Sequence, residues 1–341
     1  MQLPPRIVRR VVFAPAMLGA ALFALTTIPL WALGAAMLSP LVPGRMRPLR
    51  VLWVVMVYLA VESAAIIASF GLWLASGFGA AYRTERFEEL HYRLLRWILA
   101  FTYRNIVWVL RLSIDFEQVD EDDKSPVDSP RPMLVFSRHA GPGDSFLLVH
   151  EVMVRLNRRP RIVLKDLLQL DPAADIILNR LPNSFVPSDA AGRHGATAAI
   201  RDLAEDMDER DALVLFPEGG NFSETRRRRA IDRLRGLGHH DEAESAEKMR
   251  RVLPPRPAGA LAAIEANPET DILFIAHTGL EHMSTVADLW RGLPMDRPVK
   301  VGWWLEPEEV VPADEDQRVD WLFAHWARID DWIEATHDPS T

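Results

Sequence analysis

A histidine and an aspartate five residues apart are the first pair able to do chemistry. They lie in Phe136-Ser137-Arg138-His139-Ala140-Gly141-Pro142-Gly143-Asp144-Ser145. A regular helix would turn His139 and Asp144 onto different faces. The Gly-Pro-Gly turn lets the chain fold back, so that the carboxylate reaches the imidazole. A carboxylate placed there fixes the imidazole tautomer and supports the imidazolium formed when the ring takes a proton. Such a pair is a general base with no nucleophile of its own, and the hydroxyl it activates comes from a substrate. The same spacing also suits a histidine held by a neighbouring aspartate for structure alone. Spacing does not choose between the two.

The second group is Leu215-Phe216-Pro217-Glu218-Gly219-Gly220-Asn221-Phe222-Ser223. Its glycine pair lets backbone approach a ligand closely, and Glu218 is placed to bind a ligand hydroxyl or to contact His139. Taken alone, the segment also reads as a plain strand-to-turn junction. Gly143-Asp144-Ser145 raises a competing reading, a membrane lipid hydrolase with Ser145 as nucleophile. That motif needs a distant Asp-x-x-His, which the C-terminal part lacks, and no Gly-x-Ser-x-Gly elbow occurs. A third reading is a non-catalytic membrane scaffold, against which the intact His139, Asp144 and Glu218 argue.

Composition removes other classes. The chain has no cysteine, which excludes disulfides, a thiol nucleophile and thiolate metal sites. His150, His194 and His277 show no metal-like spacing, and His239-His240 read as surface residues. No metal and no bound cofactor are expected. A net charge of -8 argues against a nucleic-acid partner. Nothing in the sequence fixes the oligomeric state.

Both motifs need rigid elements to hold them. Each follows a short apolar run, Met133–Phe136 and Ala212–Phe216, of the kind that forms a buried strand. Further strands are expected at 112–117, 161–164, 272–276 and 299–305, with helices at about 144–157, 192–207, 256–266 and 316–335. Strand and helix alternate, so the expected class is α/β, a mixed sheet flanked by helices. Residues 223–252 are charged, contain Arg226 to Arg229 and read as a helical insertion. The arginine run is read chiefly as a solvated face touching anionic lipid.

The N-terminal part differs from all of this. From Val11 to Gly44 there is no charged residue, and from Val51 to Tyr82 only Glu62. Two retained membrane helices, at about 11–35 and 51–75, are expected to form a hairpin, with Arg45, Arg47 and Arg50 between them. Basic residues flank the hairpin at all three places, so charge does not decide between a full span and a re-entrant hairpin. Residues 84–113 read as a long helix, for which core packing and an interfacial position both remain open. The expected domains are 1–82, a membrane-embedded two-helix segment, and 83–341, a catalytic domain.

His139-x4-Asp144 followed by Phe216-Pro217-Glu218-Gly219, each motif after a strand, resembles the 1-acylglycerol-3-phosphate acyltransferases of the glycerolipid acyltransferase family. Val163-Leu164-Lys165-Asp166-Leu167-Leu168 resembles the lysine-bearing segment between the family's two motifs. Leu253-Pro254-Pro255-Arg256-Pro257-Ala258-Gly259-Ala260 resembles a Pro-Arg-x-x-Gly segment of one branch, which also carries a charged insertion. The likeness covers about 105–335. It implies that His139 is the general base on an acceptor hydroxyl, that Asp144 orients it, and that Glu218, Gly219 and Gly220 help bind the acceptor. It implies direct attack on an acyl thioester of coenzyme A or acyl carrier protein, with a lysophospholipid or glycerolipid acceptor, no acyl-enzyme, and backbone N–H groups near the turn holding the oxyanion. It also implies a membrane enzyme, and the absence of cysteine fits a catalytic domain on the cytoplasmic face. Two positions depart from the family pattern. Asn221 and Ser188 stand where the family usually has phosphate-binding arginines, and Lys165, Arg256 or the Arg226–Arg229 run are the basic residues able to replace them.

Overall fold

The uncharged N-terminal run folds into helices that proline punctuates. In the computed structural model, α1 covers Arg6–Thr26 and α2 covers Ile28–Leu38. Pro15 has no N–H to donate back to the preceding turn, and that turn, Arg9–Phe13, is π-helical. Pro29 breaks the chain in the same way at Thr27. α3, Arg47–Ala75, carries Pro48 in its first turn, where the missing N–H costs nothing. By length and composition, α1 and α3 are each able to cross a membrane. The described residues are 3–44, 46–119, 125–187, 190–280, 290–291, 295 and 298–336. Arg45, Ser188 and the side chain of His194 lie outside them.

α4, Glu85–Leu110, places two glutamates in its first turn, where they meet the positive end of the helix dipole. Its buried residues include His91, Tyr92 and Leu99, while Trp97 and Trp108 are exposed. The elements that follow are β1 (Ser113–Gln118), β2 (Met133–Ser137), α5 (Pro142–His150), β3 (Arg159–Lys165), α6 (Pro172–Leu178), β4 (Ser184–Val186) and α7 (Ala190–Ala204). After them come β5 (Asp211–Leu215), α8 (Glu224–Gly236), α9 (His240–Lys248), α10 (Pro257–Ala266), β6 (Asp271–Thr278), β7 (Pro298–Glu306) and α11 (Glu315–Thr336).

The strands form a seven-stranded mixed sheet in the order β1-β7-β6-β2-β5-β3-β4. β2 lies between β5 and β6 and is parallel to both, pairing Phe136 with Leu215 and Ser137 with Ile275. β7 runs antiparallel to β6, with Ile275 opposite Trp303. Every residue of β2, β5 and β6 is buried, as expected of parallel strands covered on both faces. One cover includes Leu203, Ala204, Ala263 and Ile264, and α11 supplies Trp326, Ile329 and Ile333. Gly302 on β7 has no side chain because Trp332 of α11 occupies the space, 2.7 Å from where a Cβ would stand. The charged insertion is the helix pair α8 and α9. Its exit is pinned by Asp330 of α11, whose carboxylate accepts N–H groups from Arg250, Arg251 and Val252.

The chain divides into two compact units, residues 1–113, 164–193 and 290–296 in one, and 114–163, 194–289 and 297–341 in the other. The first unit keeps α4, which packs on α3, and it also takes in α6. Asp175 of α6 is fully buried and accepts from both Arg9 (2.6 Å) and Arg10 (3.1 Å) of α1. Glu62, the one charge in the second apolar run, accepts the backbone N–H of Ala173 in the same unit.

Candidate active site

β2, β5 and β6 end side by side, and parallel sheets gather functional groups just past the carboxyl ends of their strands. His139 follows β2, Glu218 follows β5, and His277 sits in the last two residues of β6. The chain then turns through Gly141 into α5, whose third residue is Asp144.

Asp144 is 2 % exposed and collects donors. Its Oδ2 accepts the N–H groups of Ala140 (2.6 Å) and Gly141 (2.9 Å), and its Oδ1 accepts the Ser145 hydroxyl (3.2 Å). Reaching back to Gly141 is the acceptor half of a capping box, favoured further by the positive end of the helix. His139 Nδ1 lies 2.9 Å from Oδ2. A carboxylate only accepts, so Nδ1 carries the proton and Nε2 presents a lone pair. Among the described residues Nε2 has no hydrogen-bond partner. Burial pushes the Asp144 carboxyl up, but the hydrogen bond from His139, the charge of His277 and the Gly141 N–H outweigh it and hold it below its ordinary value.

Three residues of this centre were not singled out from sequence as part of it. Arg138, 1 % exposed, donates to the His277 carbonyl at 2.7 Å and the Arg251 carbonyl at 3.3 Å, tying β2 to β6 and to the insertion's exit. His277 Nε2 is 3.7 Å from Asp144 Oδ2, so the carboxylate has an imidazole on two sides. The Phe216 ring lies 4.6 Å from the His139 ring and walls it. A titratable side chain in or beside an otherwise apolar, fully buried strand is the signal that marks Arg138 and His277.

The second motif meets the first. Phe222 donates its N–H to the His139 carbonyl at 3.0 Å. Glu218 is 1 % exposed and faces backbone, accepting from His139 N–H and Leu253 N–H, each at 3.3 Å. Burial pushes its carboxyl up to about 8, against the pull of Arg138 and the two N–H groups. The folded chain then holds a proton that the unfolded chain has already lost, so this group's contribution to stability falls as pH rises from 4.5 to about 8. Glu218→Gln is expected to turn an amide NH2 onto one of the two backbone donors, at a cost of about 1–3 kcal/mol. Melting temperatures read at pH 5 and pH 8 should show the variant well below the native chain at the lower pH. The gap should narrow at the higher one; a gap that widens instead is evidence against a protonated Glu218.

Gly219 has φ +67°, and a Cβ there would stand 2.8 Å from the Arg256 guanidinium. A Cβ on Gly220 would be 3.4 Å from Arg226, which also donates to the Asn221 carbonyl at 2.9 Å. The glycine turn therefore lies under two exposed guanidinium groups. The arginine run does not act as one face. Arg227 caps the carbonyls of Met249 and Glu247, Arg228 pairs with Glu224, and Arg226 turns to the site. Lys165 ends β3, is exposed and belongs to the other unit.

An open apolar groove begins beside Asp144 and His277. Phe116, Leu147, Leu273, Ile275, Val301 and Trp303 are among its walls, and Arg155 stacks 3.9 Å over Phe116. The N–H groups of Ala140 and Gly141, the turn donors expected to hold an oxyanion, are already taken by Asp144. Ser145 bonds to Asp144 and, among the described residues, not to the His139 ring.

Residues 118–275, just under half of the chain, match the family model described as Acyltransferase. The matched stretch contains β2 and β5 with both motifs, and it supports acyl transfer in lipid metabolism as the general activity. No curated protein matches the chain.

Proposed function

We propose that the protein moves a fatty acyl group from a thioester of coenzyme A or acyl carrier protein to a hydroxyl of a lysophospholipid or related glycerolipid. The observation that carries this reading is the His139–Asp144 pair, with Nδ1 tied to the carboxylate and Nε2 open. Nε2 takes the proton of the acceptor hydroxyl as its oxygen attacks the thioester carbonyl. The carbon–oxygen bond forms, the carbon–sulfur bond breaks and the thiolate leaves, with His139 returning the proton to sulfur. No acyl-enzyme forms, since Ser145 is engaged with Asp144. Gly143 is the second residue of α5, and its N–H has no partner among the described residues. It is the turn donor left for the oxyanion.

The groove beside Asp144 has the apolar walls an acyl chain needs. Arg226 and Arg256 over the Gly219-Gly220 turn supply the cationic charge that Asn221 and Ser188 do not, which favours a phosphorylated acceptor. Glu218 then serves by holding the His139 and Leu253 backbones together. The exposed leucines and phenylalanines of α1–α3 favour a membrane location, and the absence of cysteine fits a catalytic domain on the cytoplasmic side.

The test is an assay of purified protein in detergent, given acyl-CoA and matched acceptors with and without a phosphate, following free CoA and acylated product. CoA release that depends on acceptor, and is faster with the phosphorylated one, is expected. Release without acceptor would instead indicate hydrolysis, and no turnover with any acceptor would leave the scaffold reading.

A further inference from the structure

Arg180 lies in the first unit, two residues after α6, and is half-buried. Its guanidinium is oriented from one side only. Nη1 donates to the Ser69 carbonyl and to His91 Nε2, both at 2.9 Å. An arginine only donates, so His91 Nε2 is the acceptor and its proton sits on Nδ1, which bonds to the Phe87 carbonyl at 2.6 Å. Burial, together with the charge of Arg180, lowers the His91 pKa, in keeping with a neutral ring.

This leaves Nε and Nη2, the edge with which a guanidinium grips an oxyanion through two parallel hydrogen bonds. Among the described residues neither atom has a hydrogen-bond partner, and no carboxylate faces Arg180. Burial, and then the charges of Arg10 and Arg6, bring its pKa down to about 10 against an upward pull from Tyr82. The carboxylate next in line, Asp175, is occupied by Arg9, Arg10 and Asn179. Ser69, which holds Arg180 in place, has a buried hydroxyl without a partner among the described residues.

The setting identifies the anion's source. Arg6 begins α1, and Ser69 lies six residues, roughly 9 Å, from the end of α3. A 29-residue α3 is about 43 Å long, the thickness of a bilayer with its headgroups. Arg180 thus meets the two apolar helices toward their charged ends, beside Arg6 and Arg10, where a lipid packed along them carries its headgroup. The flanks of α1–α3 are apolar and exposed, with Leu22, Leu30, Met37, Ile67 and Phe70 each more than half exposed.

We propose that the Nε/Nη2 edge of Arg180, with Arg6 and Arg10 beside it, binds the phosphate of a membrane lipid headgroup. The site is built from residues of the first unit, none of them part of the His139 centre, and does not rest on the acyl-transfer reading. The full chain in detergent would be titrated with phosphatidic acid and with the diacylglycerol of the same chains, and bound lipid counted by native mass spectrometry. The native chain should prefer phosphatidic acid about tenfold or more. Arg180→Gln should remove that preference. Arg180→Lys, which keeps the charge but not the planar fork, should lose most of it. Arg6→Gln, a change at an exposed residue, should weaken it a few-fold without altering the melting temperature. The Arg180→Gln loss should persist when Arg226 and Arg256 are both changed to Gln. If it disappears in that background, the phosphate bound is that of the active-site turn and the proposal fails. It fails equally if Arg180→Lys binds as the native chain does, or if inorganic phosphate alone displaces the lipid at matching concentration, which would make this a free-phosphate site.

Discussion

His139→Ala is expected to lower acyl transfer about 10²–10⁴-fold, the usual worth of a positioned general base. The loss should fall on kcat, because Nε2 acts on a proton in flight and contributes little to holding either substrate. The fold should survive. The His139 side chain is 16 % exposed and, among the described residues, hydrogen-bonds only to Asp144, which keeps its two backbone donors and the Ser145 hydroxyl without it. Ser145→Ala is the matched control. It deletes one hydrogen bond to Oδ1 and should leave turnover within a few-fold of native. Measuring CoA release and melting temperature for both variants separates base from nucleophile. Loss of activity in Ser145→Ala, with His139→Ala still active, would reverse the two roles.

The parts of this centre that could be read from sequence are those whose partners are close in the chain. His139 and Asp144 are separated by a turn that only glycine and proline make easily, and the apolar runs on either side mark β2 and β5. The rest depends on strand order. Arg138 meets His277 across 139 residues, and Glu218 meets His139 across 79, because β2 lies between β5 and β6. No spacing rule encodes that neighbourhood. The same reason hides the anchor of α1. Arg9 and Asp175 are 166 residues apart, and the helix that carries Asp175 is a seven-residue piece, too short to show periodicity. It also explains why α1 begins at Arg6, before the uncharged run, since Arg9 and Arg10 have a carboxylate to meet. Of the two contacts that a place after a strand allows Glu218, the one to His139 is made through the His139 backbone N–H, together with Leu253 N–H.

Asp144→Asn should cost about 10²–10⁴ in kcat while the chain stays folded. An asparagine can put its amide oxygen where Oδ2 was, accepting from Ala140, Gly141 and His139 as before. Its NH2 then faces Ser145, whose hydroxyl rotates to accept. Geometry is thus largely kept, and what disappears is the negative charge opposite the imidazolium that forms when His139 takes the acceptor proton. His277, 3.7 Å from the same oxygen, faces a neutral group instead. A second measurement separates this loss from misfolding. The Asp144 carboxyl is held below its ordinary value, so the native chain gains stability from it above that value and loses it as pH falls through the folded one. Melting temperatures taken from pH 7 down to about pH 3 should decline more steeply for the native chain than for Asp144→Asn, since the amide has no proton to take up. Near-native turnover in the variant would refute the orienting role. An unchanged acid slope would show that the charge of Asp144 is not what the two histidines stabilise.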